Sequence, residues 1–470
     1  GRIGGRIAML HRIVPDVQLV WFDDVDQLRR PPEGFWEAHL RELDRHVILR
    51  AEAPWEGTKV GAGPTPVETE EGWLLLYHGV DEHYVYRAGL VLLDRDDPRR
   101  VVARTRQPVL EPEPAHQWAS RVVLNPAAVF VPAGGELDAL FDVWALPAPH
   151  RDRLRAAGGA CVLLYRAQGV VEPAKGLAPS YLGLAVLTPE MDVVWRRPEP
   201  VLRPEAPFHN LGVEDPRCTK VGDVYYLYYT GYAEDAPGGP PEARRVRICL
   251  ATTRDFVDFA LHGPAAGDLN DVDNKNPALL PEPVGGKWLL LHRPMQGPEA
   301  MAIHLAEADD PAGPWRSRGL LMASHAYREF ARSWIGAGGP PLPLGDGRFL
   351  MIYHQGHFTP EGTREYDLAA ALLDFGATDP VRSRIEPLMR PTGAAEQQGD
   401  AALGVDNVLF TCANYRLGDR LVVPYAGADS RIFGAAVPVD ALVRALEAAA
   451  AGAAHSSWQG PRKSVRQLRP

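Results

Sequence analysis

The chain has 470 residues, a formal net charge of −10 at pH 7, 45 glycines, 44 prolines, 11 tryptophans, 15 tyrosines and 13 phenylalanines. The negative charge argues against nucleic acid as the main partner, and no apolar run is long enough to span a bilayer. This length can bury a large core. The richness in glycine, proline and aromatic residues predicts many short strands joined by tight turns.

The four cysteines stand far apart and lack metal-ligand spacing: Cys161, Cys218, Cys249 and Cys412. We expect them to be small buried side chains. They fit a reducing cytoplasm, which is the localisation we predict.

Glycine-containing turns followed by apolar, aromatic-rich strands recur along the chain. The predicted strands are residues 7–12, 73–78, 137–146, 161–165, 224–229, 288–293, 349–354 and 421–425. Successive turns lie roughly 60 to 90 residues apart, about the length of a four-stranded blade with its loops. Because one blade cannot bury both of its faces, such blades stack around an axis. The pattern predicts an all-β chain that forms a β-propeller.

Helical patterns are few. Residues 35–46 and 325–334 are predicted to form short helices between blades. Residues 439–451 are rich in alanine and leucine, with apolar side chains at helical spacing, and Gly452 is expected to end that helix. The polar and basic residues 456–470 are predicted to be disordered.

Part of the pattern is repeated within the chain. The segments Lys59–Pro66, Gly72–His78 and Ala88–Asp94 match Trp334–Pro341, Gly347–His354 and Ala369–Asp374 in the same order, and Gly4–Arg12 matches Gly285–Arg293. The first hundred residues are therefore predicted to be a second copy of blades found at 285–378. Two tandem modules, the first without its front half, and a single ring of more than five blades both remain open. We favour the first, because the copies match as a block.

A candidate acid lies in the octet Asn210–Arg217, which contains Glu214 and Asp215 followed by Pro216. The proline fixes its own φ and favours an extended residue before it, so Asp215 is expected on a stiff, extended backbone. Arg217 is close enough to orient a carboxylate. An oriented acid on a stiff loop suits proton transfer, although a turn with a structural ion pair would show the same pattern.

Further polar residues stand at the ends of strands or on loops after turns, positions that converge near the axis of a propeller. They are Asp215, Lys275, Arg293, His354 and Asp429. Lysine, arginine and histidine together can hold phosphate, while Asp215 could protonate a leaving oxygen and Asp429 could bind sugar hydroxyls. Aromatic residues that could stack on a sugar, or belong to the core, are Tyr229, Tyr232, Trp288, Trp334 and Tyr353.

The ordered set of motifs resembles glycoside hydrolase family 130, the mannoside phosphorylases and related mannosidases. The motifs are Gly212–Arg217, Asn274-Lys275, Leu291–Pro294, Ile335–Gly338, Tyr353-His354 and Gly427–Asp429. This resemblance implies a five-bladed β-propeller over residues 107–437. It also implies a partial module resembling the later blades over residues 1–106, which we expect to be inactive by itself. A helix and a disordered tail over 438–470 complete the predicted domains.

The resemblance also implies roles for individual residues. Asp215 would be the catalytic acid, acting through a substrate hydroxyl that relays its proton, while inorganic phosphate attacks the anomeric carbon from the opposite face. Lys275, Arg293 and His354 would bind phosphate. The residues expected to contact substrate are Glu214, Arg217, Trp334, Tyr353 and Asp429.

Three positions depart from the family pattern. Trp334 stands where the phosphorylases usually have lysine, as Lys59 stands in the first copy. Asp367 stands where the first copy has Arg87, and Asn276 replaces an expected aspartate. These changes weaken the prediction of a phosphorylase and strengthen that of an inverting hydrolase. Such a hydrolase needs a second carboxylate about 6.5–9.5 Å from the acid, for which Glu214, Asp367 and Asp429 are candidates.

The leading hypothesis is an enzyme that cleaves β-mannosides by inverting phosphorolysis to mannose 1-phosphate. The alternatives are an inverting β-mannosidase that uses water, an inactive carbohydrate-binding propeller, and a calcium-dependent furanosidase-like propeller, for which no clustered acidic loop is present. The expected partners are a mannose-containing oligosaccharide and inorganic phosphate, with no metal, other cofactor, nucleic acid or membrane. The linkage cleaved and assembly into a homo-oligomer stay open.

Overall fold

A computed structural model of the chain describes residues 2–3, 6–13, 16–24, 27, 31–32, 34–50, 59–62, 67–69, 72–80, 86–93, 101–104, 110–173, 175–235, 243–297, 299–324, 333–358, 364–391, 394–400, 403 and 405–455. This part of the chain is mostly β-strand, as predicted, and its strands pair almost entirely antiparallel. No helix within it is long and apolar enough to cross a membrane.

The described strands form seven successive groups, which we call sheets 1 to 7. Sheet 1 contains β1 (Arg2–Ile3), β2 (Arg6–Ile13), β3 (Asp16–Phe22) and β4 (Val47–Leu49). Sheet 2 contains β5 (Lys59–Ala62), β6 (Val67–Thr69), β7 (Gly72–Val80), β8 (Tyr86–Leu93) and β9 (Val101–Arg104). Sheet 3 contains β10 (Val122–Pro132), β11 (Gly159–Gln168), β12 (Ser180–Leu187) and β13 (Val193–Arg196). Sheet 4 contains β14 (Gly212–Val221), β15 (Val224–Ala233), β16 (Arg245–Thr253) and β17 (Ala260–Pro264).

The remaining three groups follow in the same manner. Sheet 5 contains β18 (Asn274–Leu279), β19 (Trp288–Pro294), β20 (Ile303–Ala308) and β21 (Arg316–Met322). Sheet 6 contains β22 (Ser333–Ala337), β23 (Leu342–Gly345), β24 (Arg348–Phe358), β25 (Arg364–Asp374) and β26 (Val381–Met389). Sheet 7 contains β27 (Leu409–Phe410), β28 (Tyr415–Leu417), β29 (Arg420–Gly427) and β30 (Arg431–Pro438). Sheets 3 and 4 are joined by one parallel pair, Ser180 with Gly212, into a continuous eight-stranded sheet.

A tight glycine turn precedes strand β19, as the sequence predicted. Gly285 and Gly286 have φ of 58° and 78°, and the flanking Val284 and Lys287 exchange both backbone hydrogen bonds. Two consecutive residues with positive φ make the turn that matches the right-handed twist of a hairpin. The following strand β19 is buried along its central five residues, which explains its continuous apolar run.

The hydrophobic core lies between neighbouring sheets. Side chains of sheets 3 and 4, 4 and 5, 5 and 6, 6 and 7, and 7 and 3 share hydrophobic clusters. Examples of residues sharing a cluster, in that order, are Leu182 with Val213, Tyr228 with Leu279, Leu291 with Tyr353, Ile352 with Val423, and Val422 with Leu163. The fifth sheet of this series therefore packs back against the first.

Sheets 1 and 2 have a core of their own, in which Val17 and Leu19 share a cluster with Val60 and Val91. The helix α1 (Phe35–Arg41) covers another part of sheet 1, where Phe35 stacks on Phe22 at 5.2 Å between ring centroids. A short 3-10 helix follows at Leu43–His46. The helical segment predicted at 35–46 is confirmed.

Sheets 2 and 6 pair their strands in the same register. Gly61 lies opposite His78 in sheet 2, as Gly336 lies opposite His354 in sheet 6. On the other side of the central strand, Val80 lies opposite Tyr86, as Gly356 lies opposite Tyr366. The internal match seen in the sequence therefore extends to the pairing of the strands.

Two predicted segments are wrong in part. Residues 137–146, predicted as a strand, lie mostly in the helix α2 (Gly135–Val143), which is followed by α3 (Ala148–Ala156). Leu137, Leu140 and Phe141 are buried at helical spacing, and acidic residues in the first turn favour a helix start. In the segment predicted as a helix at 325–334, residues 325–332 lie outside the described residues, and Ser333 begins strand β22.

Within the described residues the remaining α-helices are α4 (Ala394–Gln397) and α5 (Val439–His455), and a second 3-10 helix spans Gln117–Ala119. The predicted C-terminal helix is thus confirmed, but Gly452 lies inside it and does not end it, because the alanine-rich helix continues for three more residues. The predicted disordered tail lies outside the described residues. All four cysteines are buried and free, as predicted.

Candidate active site

The first strands of sheets 3, 4 and 5 share one irregularity, a bulge at an asparagine or aspartate that precedes proline. The pairing shifts between Leu124 and Ala127, between Glu214 and Arg217, and between Lys275 and Ala278. The residues before the prolines, Asn125, Asp215 and Asn276, have φ of 47°, 48° and 54°. The extended backbone predicted for Asp215 is therefore wrong. Asn and Asp tolerate this left-handed region, and a bulge aims a side chain in a new direction.

A hydrogen-bonded network holds the Asp215 carboxylate. Asn125 Nδ2 donates to Asp215 Oδ1 at 2.8 Å, and Arg166 Nη1 donates to the same oxygen at 3.1 Å. Arg166 Nη2 also donates to Glu214 Oε1 at 2.8 Å, and the Ser180 hydroxyl lies between Arg166 Nε and that glutamate. One guanidinium, on a side chain that is 15% exposed, thus fixes both adjacent carboxylates in a charge-assisted arrangement.

Arg217 was expected to orient a carboxylate or contact substrate, but its guanidinium is fully used elsewhere. Its Nη1 donates to the backbone oxygen of Asp215 at 2.8 Å. Its Nε and Nη2 donate to the backbone oxygens of Gly338 and Ala337 at 3.0 and 2.9 Å. The side chain is 1% exposed, so the structure places it as a link between sheets 4 and 6 and not as a sugar ligand.

The two aspartates of the site have opposite pKa shifts. Burial alone would raise the pKa of Asp215, but the charge of Arg166, followed by those of Arg217 and Lys275, outweighs burial and lowers it. For Asp429, burial dominates and raises the pKa to about 6, with the nearby Asp215 charge adding to the shift. The first carboxyl is therefore held ionised, and the second titrates near neutrality.

Beside these carboxyls lie three basic side chains, Lys275, Arg293 and His354. Arg293 is buried, and nothing among the described residues accepts a hydrogen bond from its Nε or Nη1. His354 is fully buried, and neither ring nitrogen has a partner within that same part of the chain. Lys275 is half-buried and close enough for its charge to lower the pKa of Asp215. Buried donors without acceptors cost free energy, and a bound anion would satisfy them.

The pKa shifts of Arg293 and His354 agree with their burial and their closeness to other positive charges. Burial lowers the pKa of Arg293, and the neighbouring Arg217 charge adds to that effect. Burial likewise lowers the pKa of His354 well below its ordinary value, with Arg293 and Arg217 contributing. Burial and the neighbouring positive charges therefore both disfavour the charged forms of Arg293 and His354.

Glycine at 336 leaves room for two polar groups in this pocket. A Cβ at Gly336 would lie 2.5 Å from both Asn276 Oδ1 and His354 Nε2. Asn276 Oδ1 is itself buried and has no hydrogen-bond partner among the described residues. The third Asx–proline bulge thus presents an amide to the same space as the histidine.

Aromatic side chains form a wall beside the pocket. Trp334 packs edge-on against Tyr366 at 5.3 Å and Phe358 at 5.6 Å between ring centroids. Tyr366 lies 6.3 Å from the ring of His354. Burial raises the pKa of Tyr366, the charge of Arg293 lowers it, and the charge of Asp429 raises it further. The wall therefore spans the region between the cations and the second aspartate.

Two further predicted residues face away from the pocket. Tyr353 alternates with His354 on strand β24, lies in the core shared by sheets 5 and 6, and donates to Glu386, which removes it from the substrate contacts. Asp367 alternates with Tyr366 and is fully buried, 3.8 Å from Arg390 Nε. Of the three candidate second carboxylates, only Glu214 and Asp429 lie beside Asp215.

Sequence reasoning missed Asn125, Arg166 and Tyr366. A signal for the first existed, because Asn125-Pro126, Asp215-Pro216 and Asn276-Pro277 repeat one dipeptide at the starts of successive sheets. Arg166 and Tyr366 sit in ordinary strand sequences, and nothing in their spacing marks them.

Within the described residues, no group of three His, Cys, Asp or Glu side chains is placed to hold a metal ion. The site instead combines a fixed carboxylate, a second carboxyl and a buried cationic pocket. This combination is typical of enzymes that cleave a sugar linkage with the help of charged groups on either side of the reacting carbon.

The chain belongs to glycoside hydrolase family 130. The family model described as beta-1,4-mannooligosaccharide phosphorylase matches residues 3–130 and 157–448, and helices α2 and α3 lie between the two matched ranges. The family predicted from the sequence motifs is therefore confirmed.

Named relatives agree with this assignment. The chain is 31% identical over 333 residues to a 1,2-beta-oligomannan phosphorylase of Thermoanaerobacter sp. (strain X514), covering 70% of this chain and 94% of that protein. It is 30% identical over 335 residues to a beta-1,2-mannobiose phosphorylase of the same organism, covering 71% and 95%.

Solved structures show the same fold. A glycosyl hydrolase from Bacteroides ovatus matches with a TM-score of 0.53 at 20% identity, covering 71% of this chain and 92% of that one. A second structure is described as belonging to work on GH130 glycoside hydrolases that target beta-1,2 mannosidic linkages in Candida mannan. It matches with a TM-score of 0.54 at 20% identity, over the same shares of the two chains.

Proposed function

We propose that this protein cleaves β-mannosides by inverting phosphorolysis and releases mannose 1-phosphate. The observation that carries the proposal is the buried pair Arg293 and His354 beside the fixed carboxylate of Asp215: Nε and Nη1 of the arginine and both ring nitrogens of the histidine have no hydrogen-bond partner among the described residues. A phosphate group offers several acceptor oxygens and the negative charge that such a pocket lacks. The names of the relatives support the same reaction.

We infer that sheets 3 to 7 form a five-bladed β-propeller over residues 107–437, since each sheet packs on the next and the last on the first. Residues 1–106 would be a partial second copy of its later blades, which the shared register of sheets 2 and 6 supports. Residues 438–470 would form a C-terminal helix and tail. Cytoplasmic localisation remains a prediction from the cysteine content.

In this proposal the carboxyls and the cations act on opposite sides of the anomeric carbon. An oxygen of phosphate, held by Lys275, Arg293 and His354, forms a bond to that carbon. The bond from the carbon to the glycosidic oxygen breaks, and that oxygen takes a proton originating from Asp215, relayed by a substrate hydroxyl. Glu214 and Asp429 would bind the sugar.

The lowered pKa of Asp215 sets a condition on this mechanism, because an acid must carry its proton. Phosphate bound at Lys275 and Arg293 would offset the positive charges that keep Asp215 ionised, so the pKa of the acid should rise when phosphate binds. The alkaline limb of the pH–rate profile should then lie at higher pH with saturating phosphate than with scarce phosphate. An identical limb in both conditions would contradict this coupling.

Two observations favour a second candidate, an inverting β-mannosidase. Trp334 is a neutral residue on the wall of the anion pocket, and Glu214 and Asp429 both lie near Asp215. One of these carboxylates could take the proton of an attacking water.

Product analysis tests these functions directly. The protein should release mannose 1-phosphate from β-1,2- or β-1,4-linked mannobiose only when inorganic phosphate is present, while α-linked mannobiose serves as the matched control and stays intact. Release of free mannose at a rate indifferent to phosphate would establish the hydrolase. The absence of any product, with mannobiose still bound, would instead favour a carbohydrate-binding propeller.

A further inference from the structure

We propose that Glu396 is a positioning residue, which holds Asp429 in place for the sugar through a buried hydrogen bond with Tyr425. The inference rests on the proposed function, in which Asp429 binds the mannoside, and it extends that function to a second layer of residues. Glu396 belongs to α4, the short helix in the connection between sheets 6 and 7.

The two aspartates of the site are held in place differently. Asp215 Oδ1 accepts hydrogen bonds from Asn125 and Arg166, whereas Asp429 Oδ1 has no hydrogen-bond partner among the described residues. Asp429 lies in the turn between β29 and β30, where Ala428 and Asp429 both have φ of 47°. L-residues adopt this left-handed region at a cost in free energy, so surrounding contacts must impose it. The position of the second carboxyl therefore depends on what holds this turn.

A backbone segment just before β27 holds both this turn and the aromatic wall. Val405 N donates to Ala428 O at 3.2 Å, and Ala428 N donates to Val408 O at 2.8 Å. Tyr366 N donates to Asn407 O at 2.9 Å, and Tyr366 also pairs with Val408 in a parallel bridge. A displacement of this segment would therefore move the turn of the second carboxyl together with the wall.

Helix α4 holds this segment in turn. Val408 N donates to Glu396 O at 3.0 Å, and Asn407 N donates to Gln397 O at 3.1 Å. Because a helix of four residues is not stable by itself, its position depends on contacts with the rest of the protein. Strand β8 of sheet 2 lies beside α4, so the first module is next to the element that positions the turn.

The contact that fixes α4 to the core is the pair of Glu396 and Tyr425. Both side chains are fully buried, and Tyr425 Oη donates to Glu396 Oε1 at 2.8 Å. Burial, followed by the charge of Glu396, raises the pKa of Tyr425 well above its ordinary value, so the hydroxyl keeps the proton that it donates. Tyr425 lies in the core shared by sheets 6 and 7, on the strand that leads into the turn of Asp429. In a low-dielectric interior this hydrogen bond is stronger than at the surface.

The experiment compares the parent chain with Y425F, E396L and E396Q. The first two variants each remove one side of the hydrogen bond, while the amide oxygen of glutamine can still accept it. Y225F is the matched control, because Tyr225 also lies on a strand and donates to a glutamate of a short helix, Glu136 of α2. Tyr225 is next to the turn that joins β14 to β15, away from the site.

Steady-state kinetics with the β-linked mannobiose that the parent cleaves give separate KM values for mannobiose and for phosphate. Y425F and E396L should raise the KM for mannobiose about tenfold, the effect of one charge-assisted hydrogen bond that is no longer well placed. Their KM for phosphate should stay within about twofold, because Lys275, Arg293 and His354 lie on other strands. E396Q and Y225F should stay within about twofold of the parent in both constants.

A folded Y425F with the parent's KM for mannobiose, or an equal rise in Y225F, would overturn the inference and leave the proposed function intact. An equal rise in the KM for phosphate would also overturn it, because the pair would then support the whole site and not the sugar side. So would an E396Q variant as impaired as E396L, since the hydrogen bond would then not be the cause.

If the parent releases no mannose 1-phosphate, the proposed function is wrong. The same variants, compared in hydrolysis of mannobiose or, where nothing is cleaved, in its binding by calorimetry, then decide the inference by themselves. A loss of mannobiose affinity in Y425F and E396L, and not in E396Q and Y225F, would support it.

Discussion

Two arginines of the candidate site have little exposed surface, and their surroundings are opposite. Arg166 donates to Asp215, Glu214 and Ser180, so its three guanidinium nitrogens all have acceptors. Arg293 is buried, but its Nε and Nη1 have no acceptor among the described residues.

The difference separates two tasks within one site. On the side of Arg166 the protein completes its own ion pairs, which fixes the carboxylate geometry before substrate arrives. On the side of Arg293 two donors have no acceptor among the described residues, which costs stability but, in the proposed function, prepares an anion site. One half of the site is therefore built for rigidity and the other for a ligand.

The largest effect on activity is expected from replacing Asp215, the acid whose carboxylate accepts a hydrogen bond from Arg166. Asp215→Asn cannot supply a proton, so turnover of β-mannosides should fall about 10²–10⁴-fold. Phosphate should still raise the urea midpoint of the variant, because the anion pocket is untouched. Asp223→Asn, at a turn residue whose side chain is 81% exposed, is the matched control. Turnover of Asp215→Asn within tenfold of the parent would remove Asp215 from the reaction.

Replacement of Arg166, whose three guanidinium nitrogens all have acceptors, should destabilise the fold. Arg166→Met leaves the buried carboxylates of Glu214 and Asp215 without their common cation, which should cost about 3–5 kcal/mol of unfolding free energy. Urea denaturation measures this, with the exposed Arg254→Met expected within about 0.5 kcal/mol of the parent. A loss below 1 kcal/mol would show that the network does not bind as tightly as its distances indicate.

Replacement of Arg293 should change the free energy of unfolding in the opposite direction. Arg293→Met exchanges a buried, poorly solvated cation for an apolar side chain, so the phosphate-free protein should gain about 1–2 kcal/mol. The same variant should lose the stabilisation that phosphate gives the parent. The comparison of the two arginines fails if Arg293→Met is destabilised to the same extent as Arg166→Met.

The sequence predicted the strands better than the orientation of the site residues. Glycine turns and apolar runs located β7, β15, β19, β24 and β29, because those signals are local. The same reasoning placed Leu137–Leu146 in a strand, although Leu137, Leu140 and Phe141 repeat at helical spacing. The prediction relied on the number of apolar residues in this segment and neglected their spacing, which is that of a helix.

Several members of the candidate site were predicted from the sequence, but their contacts were not. Asp215, Arg293, His354 and Asp429 come together as expected, since each follows a strand pattern repeated along the chain. The roles of Arg166 and Arg217 could not be read, because residues separated by 49 and 121 positions meet there. Alternation along a strand separates Tyr353 from His354, and only the register shows which of the two faces the pocket.

The smallest expected effect is on the pH dependence of the free energy of unfolding, and it comes from Asp429, the second aspartate of the site. Its Oδ1 has no hydrogen-bond partner among the described residues, and its pKa is raised from 3.8 to about 6. Between these pH values the folded state binds more protons than the unfolded chain, so this group favours folding at low pH and the benefit is lost as pH rises toward 6. The lowered pKa of Asp215 acts in the opposite sense and only below about pH 3.8.

The two carboxyls can therefore be distinguished by pH alone. Unfolding free energies of the parent and of Asp429→Asn, measured with urea at pH 4.5 and pH 7, should diverge by about 1–2 kcal/mol, with the parent favoured at the lower pH. Titration of the buried histidines contributes equally to both proteins and cancels in the difference. If the two proteins showed the same change between pH 4.5 and pH 7, Asp429 would be ionised throughout that range. Asp215 and Asp429 would then both face the substrate as carboxylates. Only the two arginines, Arg166 and Arg293, would still differ in whether their nitrogens have hydrogen-bond acceptors.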